Sequence, residues 1–234
     1  MTDSIKLIGN VASPYTRKMI AYLRYKRIPY EVIWGQPEDV LKKMNIEPPK
    51  PILLPVFILD RDGQATAVTD STPLIREFEE KYPDRSVLPK DPALNFINFI
   101  LEDFGDEWCT KFMFHYRWYF DEDADNAGTI LPLGINSSLK DDELAFFKEH
   151  FAKRQIDRLW VVGSNNDTAE FIDKSYKNVL SIFEEQFKKH PFLLGNFPSS
   201  CDFAVYGQFT QLVGFDPTPR RIAHEISPRT VAYV

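Results

Sequence analysis

Cysteine is nearly absent: only Cys109 and Cys201 occur in 234 residues, and no Cys-x-x-Cys pair exists. That excludes a disulfide scaffold and a dithiol redox motif, and a reducing cytoplasm is the expected setting. The four histidines, His115, His150, His190 and His224, are far apart and give no metal-ligand spacing. No metal is therefore expected. No apolar run approaches the ~18 residues that a membrane-spanning helix needs. Met1-Thr2-Asp3-Ser4 lacks the basic-then-apolar pattern of a secretion signal, so the sequons at Asn136 and Asn166 are read as chance. A surplus of positive charge is missing too. The formal net charge is −6, and the densest basic spot is the short Pro219-Arg220-Arg221. Phosphate backbones demand concentrated positive charge, so nucleic acid is not an expected partner. No internal repeat or low-complexity segment appears.

With 44% hydrophobic residues, the chain has enough apolar side chain for one large core or two modest ones. Its two parts follow different patterns. Ile5–Ile8 is a short β-rich run. Pro14–Lys26 carries Met19, Ile20 and Leu23 at helical spacing, with Ser13 as a cap and Pro14 in the first turn. Tyr30–Trp34 reads as a strand closed by Gly35 and Pro37, and Glu38–Met44 as a short helix. Val56–Leu59 is a buried strand by composition. Asp60–Gly63 is a turn, and Ala65–Val68 returns antiparallel. Asp70-Ser71-Thr72-Pro73 opens a helix ending near Tyr82-Pro83. The order is β-α-β-α-β-β-α.

Residues 83–92 carry three prolines and read as a linker. Everything after it reads as helical. The clearest case is Asp167–Lys189, where Ile172, Tyr176, Val179, Phe183 and Phe187 form one apolar stripe. A further helix is expected after Pro228.

Pro55 sits inside Ile52–Leu59, the most apolar run of the chain, although proline removes a ladder donor and avoids central strands. Two readings stand: a cis Leu54–Pro55 bond at the mouth of the strand, or an ordinary trans proline at its first residue.

These features together resemble the glutathione S-transferase superfamily, serine type, over nearly the whole chain. Ser13-Pro14-Tyr15 looks like the start of that family's first helix. Leu54-Pro55 looks like its cis-proline step, and Asp70-Ser71 like its acidic-Ser pair. Gly195 followed by the Ser199–Asp202 box resembles the late hallmark of its helical domain. The resemblance implies a fold class of α/β plus all-α. A thioredoxin-like domain (1–82) and a linker (83–92) would be followed by an all-helical domain (93–234), and relatives usually continue beyond a point like Val234. It also implies glutathione as co-substrate, a cytoplasmic homodimer, and a small-molecule second substrate. Leu53 stands where many members carry a lysine that contacts glutathione, and Lys50 is out of register.

The resemblance assigns roles as well. Ser13 would donate a hydrogen bond to the glutathione thiolate. Making that thiolate the major species at pH 7 requires about 2.7 kcal/mol of preferential stabilisation. A charge-assisted hydrogen bond (about 1.5–3 kcal/mol) with a helix N-terminus (about 0.3–1 kcal/mol) has that magnitude. Leu54 and Pro55 would meet the peptide, Ser71 the γ-glutamyl carboxylate and Asp70 its ammonium. For Ser13 and for the Asp70-Ser71 pair, plain helix capping is the alternative. Tyr15, Phe112 and Tyr116 are candidates for the second-substrate pocket, His115 for a hydrogen-bonded structural residue. Cys109 and Cys201 read as small buried hydrophobes. Arg17 and Lys18 read as solvated surface charges, with a bound anion nearby as the alternative. Three functions fit: glutathione conjugation to a small apolar electrophile, a glutathione-dependent isomerase or dehalogenase, and a non-catalytic binding member.

Overall fold

A computed structural model describes residues 5–234; the reading of Met1–Ser4 lies outside the described residues. The chain begins with β1 (Ile5–Gly9), α1 (Pro14–Lys26), β2 (Tyr30–Trp34), α2 (Pro37–Met44), β3 (Val56–Arg61), β4 (Gln64–Val68) and α3 (Ser71–Lys81). The sheet order is β2-β1-β3-β4. Strand β1 runs parallel to β2, with Leu7 opposite Val32, and antiparallel to β3, with Leu7 opposite Phe57. The β3–β4 hairpin is tighter than the sequence suggested. Arg61 pairs with Gln64, so only Asp62 and Gly63 form the turn. Both have positive φ (56° and 82°), as a type I′ hairpin turn requires.

Helices fill the rest: α4 (Pro92–Asp103), α5 (Cys109–Tyr119), α6 (Asp121–Ile135), α7 (Asp141–Ile156), α8 (Ala169–Phe187), α9 (Ser200–Gly214), α10 (Pro217–Ile226) and α11 (Pro228–Tyr233). Between α4 and α5 the chain widens into a π-turn over Phe104–Trp108, a feature that concentrates at functional sites. The fold is a thioredoxin-like sheet domain followed by helices, as the element order implied.

Apolar burial forms two main cores. One gathers Leu7, Met19, Tyr22, Phe57, Ile75 and Phe78 under the sheet. The other gathers Phe112, Tyr116, Tyr176, Phe183 and Phe209 among the helices. Helix α9 joins them. Its Phe203 belongs to the sheet core and meets Tyr22 edge-on at 5.8 Å, while Phe209 belongs to the helical core. Close approach of α9 to α1 depends on Gly207, where a Cβ would lie 2.5 Å from the Pro14 carbonyl oxygen. At the start of α9, Asp202 Oδ2 accepts from the Ser199 N–H (2.8 Å) and Oδ1 from the Leu193 N–H (2.9 Å), the capping-box arrangement that the sequence suggested. Both cysteines are free and buried.

Candidate functional site

A cleft of about 570 Å³ opens between the sheet domain and the helices. Ser13, Tyr15, Leu54, Asp70 and Ser71, distant in sequence, all line it. The N-termini of α1 and α3 meet there, so the cleft collects unpaired backbone N–H groups and the positive ends of two helix dipoles.

Ser13 is the N-cap of α1. Its backbone is extended (φ −86°, ψ 117°), and its Oγ accepts the Thr16 N–H at 3.2 Å. A serine hydroxyl has one hydrogen and two acceptor sites. The cap therefore uses one acceptor and leaves the hydrogen free to donate.

Asp70 and Ser71 begin α3. Asp70 caps it, with Oδ1 accepting the Thr72 N–H at 3.3 Å, and holds φ at +79°. That conformation costs an L-residue about 1–3 kcal/mol, a strain that concentrates at functional sites. Ser71 is almost buried, and its Oγ accepts from the Lys18 ammonium at 3.0 Å.

Lys18 is the residue sequence reasoning misplaced. It is no solvated surface charge: its relative exposure is 0%. Its Nζ also reaches Asp106 Oδ2 at 2.6 Å and Glu102 Oε1 at 3.3 Å. Arg76 completes the network through Glu102 Oε2, which also accepts from Ser200 Oγ at 2.6 Å. Burial alone would push the Glu102 carboxyl up. Lys18, Ser200 and Arg76 together hold it below the usual carboxylate range. For Asp106 burial outweighs Lys18, and its carboxyl is pushed up. The available signal was positional: Lys18 lies on the same face of α1 as Tyr22, on the helix that carries the sheet core.

Leu54 lines the cleft just before the β3 ladder, whose first pair is Val56–Ile8, so its backbone N–H and C=O stand outside the sheet. The Leu54–Pro55 bond is cis, as is Lys50–Pro51. Pro55 itself is buried and does not line the cleft.

Tyr15 faces the cleft, but its hydroxyl is engaged. It donates to the Asp106 carbonyl at 2.7 Å and lies 3.0 Å from Thr110 Oγ1. Burial pushes its pKa up to about 12, so it stays protonated.

Two expected pocket residues are elsewhere. Phe112 (4% exposed) and Tyr116 (0%) lie in the helical core, and Tyr116 donates to Asp173 Oδ1 at 2.7 Å. The aromatic face of α5 turns inward because α8 and α9 cover it, which corrects their assignment to a substrate pocket. His115 is structural: it is fully buried, and Nδ1 lies 2.8 Å from Ser164 Oγ.

The helical half supplies the cleft with other residues. The π-turn brings Asp106 and Glu107 to it, and the last turn of α7 brings Arg154 and Gln155. Neither device leaves a periodic trace in the sequence. Beside the Asn10–Ala12 loop lies a second cavity of about 320 Å³, lined by Val11, Ala12, Ile130, Leu131, Phe215 and Val234 among others.

Residues 7–86 match the family model described as "Glutathione S-transferase, N-terminal domain". That stretch resembles the N-terminal domain of the glutathione S-transferases. The whole chain carries the glutathione S-transferase fold. It is similar to a glutathione S-transferase from Rhodospirillum rubrum F11 (18% identity, TM-score 0.58), covering 98% of this chain and 85% of that one. It is similar to CsGST83044 of Ceriporiopsis subvermispora, solved in complex with glutathione (19%, 0.59, 99% and 96%). It also resembles the beta-etherase LigF from Sphingobium sp. strain SYK-6 (19%, 0.63, 98% and 93%). No curated protein matches the chain. In glutathione S-transferase terms, the serine, the residue before the proline and the acidic-Ser pair all reach one cleft. Among the described residues, no helix is long and apolar enough to cross a membrane.

Proposed function

We propose that this chain is a glutathione transferase that activates the glutathione thiol with Ser13 and delivers it to a small apolar electrophile. The convergence of Ser13, Leu54, Asp70 and Ser71 on one cleft carries the reading. The donor set fits the tripeptide. Ser71 accepts from Lys18, so its hydrogen is free for the γ-glutamyl carboxylate, which the α3 N-terminus also favours. Asp70 pairs with the ammonium, and Leu54 offers backbone groups outside the ladder to the extended peptide. The cleft volume lies within the usual range of ligand sites, about 300–1,000 Å³.

The thiol then sits against Ser13. Its conversion to thiolate is favoured by the free Ser13 hydrogen and by the positive end of α1. Ser13 donates and never attacks; Tyr15, held protonated by its burial, does not serve as a base. The thiolate forms the new carbon–sulfur bond, adding to the electrophile or displacing a leaving group. A displacement route has a structural parallel in LigF, whose name records a beta-etherase. The second cavity, lined by Ala12 next in sequence to Ser13 and by Val11, Ile130, Leu131 and Phe215, is the site we propose for the apolar partner.

We also propose a homodimer through α4. Phe96 (66%), Ile97 (46%), Phe99 (54%) and Ile100 (49%) are all exposed on that one helix, a contiguous apolar area of the kind that marks an interface.

One observation favours the non-catalytic reading. Four carboxylates, Glu38, Asp70, Asp106 and Glu107, line the cleft against one guanidinium, Arg154, and glutathione is itself anionic. Calorimetric titration with glutathione decides. Saturable binding with turnover of a model electrophile supports the enzyme, and binding without turnover supports the non-catalytic member. No binding at millimolar concentration defeats the enzyme readings and leaves the non-catalytic member.

A further inference from the structure

Glutathione carries two carboxylates, and the site described above provides for one. The α3 N-terminus, with Ser71 backed by Lys18, takes the γ-glutamyl end. The glycyl carboxylate needs another cation in a cleft that already holds four acids. Before Pro55, where a lysine would stand in many members of the superfamily, the chain has Leu53 and Leu54, and Lys50 does not line the cleft.

Among the described residues, Arg154 is the single basic side chain that lines it. Helix α7 carries it on its last turn, and no residue of α7 is buried. Its neighbour Lys153 is paired with Asp157 at 2.9 Å; Arg154 has no ion-pair partner among the described residues and is exposed. An arginine beside an acidic cleft with no carboxylate bound to it keeps its planar fork of donors free for an incoming one.

We propose that Arg154 binds the glycyl carboxylate of glutathione, so that α7 supplies the anion recognition that the segment before Pro55 does not. The inference rests on the reading of the cleft as a glutathione site. A carboxylate on the second substrate is the other source of the same chemistry, and ligands that lack the glycyl charge separate the two.

The test is calorimetry on the full chain and on Arg154→Ala and Arg154→Lys, with glutathione, γ-glutamylcysteine and the glycyl ethyl ester of glutathione. Arg154→Ala weakens glutathione binding about tenfold, in line with one charge-assisted contact. It leaves γ-glutamylcysteine and the ester unchanged, and Arg154→Lys recovers part of the loss. Equal weakening of all three ligands overturns the proposal, as does unchanged glutathione binding. So does an effect confined to the KM of an anionic electrophile, which would place Arg154 on the other substrate. A parent chain that binds γ-glutamylcysteine as tightly as glutathione also overturns it while leaving the cleft reading intact. A parent that binds none of the three removes both.

Discussion

At Ser13 one hydroxyl caps a helix and, in the proposed function, also meets a thiolate. Its acceptor side closes the first turn of α1 and so fixes the oxygen in place; its donor side remains for a thiolate. Capping and catalysis, alternatives in the sequence, are compatible in the structure. Ser71 repeats the pattern: it accepts from Lys18, and its hydrogen is free for the carboxylate of the proposed ligand. Lys18 was illegible as a functional residue because a basic side chain in a first turn is ordinarily solvated, and only the packing of α3, α4 and the π-turn around α1 buries it. Its role gives a sharp expectation. Lys18→Met leaves Glu102 and Asp106 buried beside each other without their shared cation, an arrangement that costs about 3–5 kcal/mol. Urea unfolding monitored by fluorescence measures this; a loss below about 1 kcal/mol would show that the network is solvated and that Lys18 does not back Ser71.

Among the elements, α1, the β3–β4 hairpin and α8 were readable because their signals are local: a Ser-Pro start, an Asp-Gly turn, an apolar stripe. The stripe on α8 is the buried face, with Ile172, Tyr176 and Phe183 in the core. The π-turn and the reach of α7 were not readable, since neither changes hydrophobic period and both act only through tertiary placement. The same limit explains Phe112 and Tyr116. Helical spacing showed that they share a face of α5, but not that α8 and α9 cover it. His115 on that helix has a pH consequence. Burial lowers its pKa from 6.5 to about 4. Between these values the unfolded chain binds a proton that the folded chain rejects, so stability present above about pH 6.5 is lost as pH falls toward 4. The loss is at most about 3 kcal/mol. Thermal melts of the parent and His115→Gln between pH 7 and pH 4 check this: the variant has the flatter acid slope. Equal slopes would mean that His115 is protonated in the fold.

The whole molecule is a sheet domain and a helical domain joined by α9, with the cleft at their junction. Element order gave a β-α-β-α-β-β-α run followed by helices, and the resemblance to the glutathione S-transferase superfamily turned that order into this architecture. The chemistry of the cleft was half legible: its sheet-domain wall was named from motifs, its helical wall was not. Association belongs to this scale too. The apolar face of α4 predicts a sedimentation mass near twice the 27.2 kDa chain mass, reverting to monomer in Phe96→Glu/Phe99→Glu; a monomeric parent refutes the dimer. The proposed function requires that the cleft bind glutathione and that Ser13 stabilise its thiolate. The direct measurement is the ultraviolet thiolate absorbance of bound glutathione, titrated with pH in the parent and in Ser13→Ala. The bound thiol is expected to have a pKa about 2 units below the free value of about 8.5, most of that shift disappearing in Ser13→Ala while the tripeptide still binds. An unshifted thiol in the parent, or an equal shift in both proteins, would contradict it.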